Sequence, residues 1–168
     1  INFLKTAGIE KMEPIPSYNL LVPIAYIAHK ENYELKKEKD ILLKWFFAAA
    51  MWARYSGTSE STLDVDLSII QNNENYIQKM IEEIQTARGG TLTVRESDLE
   101  GLNSKSPMFF MVYVLARRNS AKDWRTGLAF SLESSGVKYQ NEIDHIFPQN
   151  VLNKFFEGKN MDSKKIKK

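Results

Sequence analysis

The sequence contains no cysteine. That excludes a disulfide scaffold, a thiolate zinc centre and a cysteine nucleophile, and it fits a reducing compartment. Histidine is nearly absent as well. His29 and His145 are the only two, so a three-histidine zinc site cannot be assembled from this chain. No hydrophobic run is long enough to span a bilayer. The longest, Ile41–Ala53, has 13 residues and is interrupted by Lys44, against about 20 for a transmembrane helix. The opening INFLKTAGIEK has neither the basic start nor the apolar core of a secretory leader. It also lacks an initiating methionine, and the chain reads as a piece of a longer protein.

What is present is ordinary globular material. Hydrophobic residues make up 43% of the 168 and charged residues 26%, enough apolar surface to bury a core. The net charge of +2 is unevenly placed. Residues Lys154–Lys168 hold six lysines against Glu157 and Asp162, so this tail carries +4 and everything before it −2. A basic tail is either a solvated end or a contact for a polyanion.

Hydrophobic periodicity predicts helices through most of the chain. Pro14 and Pro16 punctuate the approach to a helix over Tyr18–His29, where Pro23 favours a start near Leu20 or a kink. Lys36–Tyr55 predicts a helix with an apolar stretch on nearly every face, suited to the centre of a bundle. Ser56-Gly57 is expected to end it. Leu63, Leu67 and Ile70 mark a helix over Thr62–Ile70, capped by Thr58, Ser59 or Ser61. Tyr76, Ile77, Met80, Ile81 and Ile84 mark another over Glu74–Arg88, closed by Gly89-Gly90. Thr91–Val94 reads as an extended linker and Glu96–Leu102 as a short helix. Pro107 opens a mostly buried helix over Met108–Arg118, closed by basic residues. Beyond Asn119 the pattern changes. Leu128–Leu132 and Val137–Ile146 look extended, with Ser134-Ser135-Gly136 between them. The expected fold is therefore mainly α: a helical domain over 1–119, then a short β segment that opens a second, partial domain over 120–168.

One segment carries chemistry, Glu142-Ile143-Asp144-His145-Ile146-Phe147-Pro148. Adjacent strand residues point to opposite faces, so Asp144 and His145 serve one site only where the strand twists or ends, and Pro148 supplies that ending. His145 has the side chain whose ordinary pKa lies nearest neutrality, which suits it to take a proton from water. Asp144 is a hard oxygen ligand for Mg²⁺ or Mn²⁺. Together they suit metal-assisted phosphodiester hydrolysis. The competing reading is a structural histidine hydrogen-bonded at a strand end.

The wording EIDHIFPQNVL resembles the first motif of the HNH (ββα-metal) nucleases. Upstream, KWFFAAAMWARYSGTSESTLDVDL resembles the helical middle region of GmrSD-like modification-dependent restriction proteins. A tryptophan-rich helix there runs into Arg54-Tyr55-Ser56-Gly57 and then a Leu-x-x-Asp-Leu helix, here Leu63–Leu67. Asp123-Trp124 and Gly127 also fit, and the likeness extends from about Pro14 to Leu152. It implies a DNA endonuclease acting on foreign, modified DNA in a bacterial or archaeal cytoplasm, with no membrane partner. His145 would be the general base, Asp144 a ligand for one Mg²⁺ or Mn²⁺ ion, and Pro148 a shaping residue. Two departures stand out. The nucleotide-handling half of that family, with its DGQQR-type motif, has no counterpart here and would be a partner domain of the same protein. The second strand and closing Asn or His of an HNH finger are not evident after His145, since Asn150, Asn153 and Asn160 follow it too closely. The fragment is therefore expected to be inactive alone. The alternative is a non-catalytic helical module that binds DNA or a partner domain.

Other residues read more plainly. Arg117, Arg118, Lys122, Arg125 and Lys154 are candidate DNA-backbone contacts, though surface cations are as readily mere solvation. Arg54 is expected to pair with Asp64 or Asp66 in preference to contacting phosphate directly. Those two acids, with Glu82 and Glu83, otherwise read as solvated helix-face carboxylates. Trp45, Trp52, Phe46 and Phe47 read as core rather than a base-stacking platform. His29 reads as an ordinary residue at a helix C-terminus.

Overall fold

A computed structural model describes residues 2–5, 7–9, 15–32, 38–103, 106–122, 127 and 154. The chain divides into two units, Ile1–Phe130 and Ser131–Lys168. Of the second, Lys154 is described and is exposed. Leu128–Leu132 and Val137–Ile146, expected to be extended, lie outside the described residues.

The first unit is helical: α1 (Asn2–Lys5), α2 (Leu21–Lys30), α3 (Lys39–Met51), α4 (Ser59–Asn72), α5 (Tyr76–Ala87), α6 (Glu96–Leu99) and α7 (Pro107–Arg118). Among the described residues there is no strand. A 3-10 turn over Tyr18–Leu20 feeds α2, its start fixed by Ser17, whose Oγ accepts from the Asn19 amide. Pro23 is the third residue of α2, inside the first turn, where a missing N–H leaves no helical hydrogen bond unmade.

Helix α3 is the centre. It packs against α5, α7 and the 3-10 turn. Leu42, Trp45, Phe46 and Ala50 are fully buried, with Ala48 and Ala49 nearly so. The alanine run lets neighbours approach closely, while Phe46 meets Phe47 and Phe110 edge-on at 5.6 and 6.4 Å between centroids. Such pairs contribute about 0.5–1.5 kcal/mol each beyond their buried area. The five apolar positions of α5 are all buried, as their spacing requires. Helix α7 departs from expectation. It buries Met108, Phe110, Tyr113 and Val114, but Val112 and Leu115 are 46% and 53% exposed. It packs on α3 with one side, and its opposite side faces solvent.

A second joint gathers four helix ends around Tyr76, the first residue of α5. Its hydroxyl lies 2.8 Å from both Glu31, just past α2, and Glu38, just before α3. The Lys30 ammonium sits 4.6 Å from the ring centroid and donates to the Ile70 carbonyl in the last turn of α4. Burial, reinforced by both carboxylates, pushes the phenol well above its ordinary pKa, so it stays a donor. One proton thus serves two acceptors.

Tyr76→Phe removes that proton while keeping the ring, and the expected loss is about 1–2 kcal/mol. Urea denaturation of the two proteins measures it. A difference below a few tenths of a kcal/mol would show that the two carboxylates need no donor.

Candidate functional site

Glu142–Pro148, with Asp144 and His145, lies outside the described residues, as does Arg125. Of the other candidates, Arg118 and Lys122 are exposed at and just past the end of α7, Arg117 is half-buried there, and Lys154 is exposed. Among the described residues no group of three or more Asp, Glu or His side chains is placed to hold a metal ion.

The described part of the resemblance, Arg54-Tyr55-Ser56-Gly57 with Leu63–Leu67, forms one compact arrangement. It begins with how α3 stops. The expected terminator is Ser56-Gly57, but the helix ends at Met51. Ala53 takes the left-handed conformation (φ +50°), and the Arg54 amide reaches back to the Ala49 carbonyl at 2.9 Å. This is the closing pattern usually supplied by glycine. Gly57 (φ +77°) serves the next bend, before α4. The reversal turns Arg54 and Tyr55 towards α4.

There they meet Asp66. Arg54 Nε donates to Asp66 Oδ2 at 2.7 Å and Nη2 to Oδ1 at 2.6 Å, while the Tyr55 hydroxyl donates to Oδ2 at 2.5 Å. Asp66 is fully buried and the Arg54 side chain is 9% exposed. The expected pairing of Arg54 is found, with Asp66 as the partner. The expected solvation of Asp66 is not. Of the four helix-face acids, Asp64, Glu82 and Glu83 alone are exposed. The sign is in the spacing. Asp66 stands three residues after Leu63 and four before Ile70, in the middle of the inward stripe of α4. Burial draws the Arg54 guanidinium down, but the hydrogen bond and charge of Asp66 outweigh it and hold its pKa above the usual value. Burial first, then the charge of Asp66, pushes the Tyr55 phenol up. A carboxylate held by three donors and fully buried is out of reach of a substrate. The arrangement is a structural clamp between the end of α3 and the middle of α4.

Trp52 is likewise committed. The Arg88 guanidinium stacks on its ring, 3.3 Å from the centroid, and reaches Asp98 at 3.3 Å. Asp98 accepts from the Arg95 amide at 2.8 Å. That amide, against an opposing effect of burial and aided by Arg88, holds the carboxyl below its usual pKa. Trp45 and Phe46 are core, Trp52 and Phe47 half-buried, and the Trp52 face that a base would need carries Arg88. The Tyr76 joint borders an open pocket of about 460 Å³ lined by Lys30, Glu31, Gln71, Asn72, Asn73, Glu74 and Tyr76. Sequence reasoning passes over it, because its parts come from three separate helix ends.

Asp66→Ala strands a buried guanidinium, and the expected loss is about 3–5 kcal/mol. Replacing Arg54 and Asp66 together by Met and Leu should recover much of that loss. Thermal melts of the single and double variants decide; a loss under about 1 kcal/mol in the single variant would mean that water reaches the pair. Ala53→Gly relieves the left-handed residue and should raise stability by up to about 1 kcal/mol, read as a higher Tm. Compared with protein-family models, curated proteins and solved structures, the chain matches none.

Proposed function

We propose that this chain is part of a DNA endonuclease of the restriction, anti-phage type. Its substrate is foreign DNA, modified as the resemblance implies. His145 acts as general base, taking the proton of a water whose oxygen attacks phosphorus while the bond to the leaving sugar oxygen breaks. A Mg²⁺ or Mn²⁺ ion, with Asp144 among its ligands, would neutralise the charge that develops on the leaving oxygen. Pro148 would shape the loop and carry no chemistry.

The observation that supports this reading is the closure of two separate motifs on each other. Arg54 and Tyr55 of the Arg-Tyr-Ser-Gly turn bind the aspartate of the Leu-x-x-Asp-Leu helix. The two upstream marks of the resemblance therefore have a physical reason to occur together, and EIDHIFP follows them in the same chain. In a second reading the helices form a module that binds DNA or a nucleotide-handling partner domain without metal. The exposed cations Arg118 and Lys122 at the end of α7 favour it.

The test uses the full-length protein that carries this chain, with and without His145→Ala. It is incubated with Mg²⁺ or Mn²⁺, nucleotide, and unmodified or modified phage DNA. Cleavage that needs the divalent ion and falls by about 10²-fold or more in the variant is expected, as for loss of a general base. Equal cleavage by both proteins, or tight DNA binding with no cleavage by either, would replace the nuclease reading with the binding module.

A further inference from the structure

Charge is sorted along this chain. Residues 1–9 and 101–122, bounded by Glu10, Glu100 and Asp123, hold Lys5, Lys105, Arg117, Arg118 and Lys122 and no Asp or Glu, whereas residues 60–100 hold nine acids against three bases. The net charge conceals this separation.

The fold brings the two acid-free segments together. Leu4, Ala7 and Ile9 are 3%, 4% and 2% exposed, so the N-terminal stretch is docked by its apolar side chains. A β-carbon placed on Gly8 would lie 3.4 Å from Arg118 Cγ, which sets this stretch against the last residue of α7. Lys5, whose carbonyl accepts from the Gly8 amide at 3.0 Å, is exposed. On the other side, α7 ends in a reversal at Ser120 (φ +52°), with the Ala121 amide bonded to the Ala116 carbonyl at 2.9 Å. That reversal leads to Lys122, exposed just past the helix end. A helix C-terminus favours cations on its own last turn. That accounts for Arg117 and Arg118, but not for Lys5, which comes from another element.

We propose that Lys5, Arg118 and Lys122 form a single surface that contacts the phosphate backbone of duplex DNA. Cations from two elements, with no acid in either segment, make the electrostatic footprint of a backbone contact. Such a contact orients the duplex and reads no sequence. The choice of DNA among polyanions rests on the nuclease reading above.

The experiment is fluorescence anisotropy of a labelled random-sequence duplex with the 168-residue chain, in EDTA, over a range of salt concentrations. The triple variant Lys5→Gln/Arg118→Gln/Lys122→Gln is compared with wild type and with Lys44→Gln/Lys79→Gln/Arg95→Gln, three cations outside the surface. Each phosphate left without its cation should lower the slope of log K against log[salt] by about 0.9, so a fall of about 2 to 3 is expected in the first variant. The second should keep the wild-type slope. Circular dichroism melts confirm that both are folded, and Lys122→Gln alone should lower the slope by about one unit. An unchanged slope in the first variant overturns the proposal. So does wild-type protein that binds anionic phospholipid vesicles but no DNA. Because no divalent ion is present, the outcome is independent of His145. A lowered slope with no metal-dependent cleavage by the full-length protein would retain the surface and discard the nuclease. Cleavage with an unchanged slope would do the reverse.

Discussion

The first unit is organised by a buried charge. Asp66 is a carboxylate without access to water, and its placement is acceptable only because Arg54 and Tyr55 bring three donors to it. Those donors arrive only because α3 stops at Met51 and the chain reverses through a left-handed Ala53. The chain thus accepts local strain at one residue and the desolvation of two ions. The result is that the middle of α4 is fixed relative to the end of α3, the helix against which most of the core is packed. Apolar burial drives α3 inward in any of several rotations. The fork of an arginine on a carboxylate admits only one approach.

This joint and the one at Tyr76 sit at opposite ends of α3. One ties its exit to α4. The other ties its start, through Glu38, to α5 and to the end of α2. Between them, phenylalanine edges and alanine faces fill the space. Polar groups thus set register and direction, while apolar groups supply most of the stabilisation.

The helices are legible in the sequence because each rests on a local repeat. The inward positions of α5 can be named residue by residue, and Pro107 marks the start of α7. The ends of α3 are not legible. Glycine at 57 is the stronger terminator by local preference, yet the helix closes earlier, where Arg54 and Tyr55 can reach Asp66. A tertiary ion pair overrides a propensity. Asp66 misleads for the same reason, since its charge suggests solvent while its place between Leu63 and Ile70 points inward. The Tyr76 joint joins residues up to 45 positions apart, and no periodicity can signal that. Of the candidate chemistry, Asp144 and His145 rest on their motif alone and lie outside the described residues. The structure instead explains the motif upstream of them.

The clasp at Tyr76 has a consequence for how this chain can change. It grips Glu31 and Glu38, the two residues flanking the connection between α2 and α3. The positions of both helices are therefore settled before the intervening sequence is specified. Doubling the length of a connection whose ends are already fixed costs only about 0.6 kcal/mol in closure entropy. The two carboxylates, rather than the length of the connection, thus set the spacing of the two helix ends.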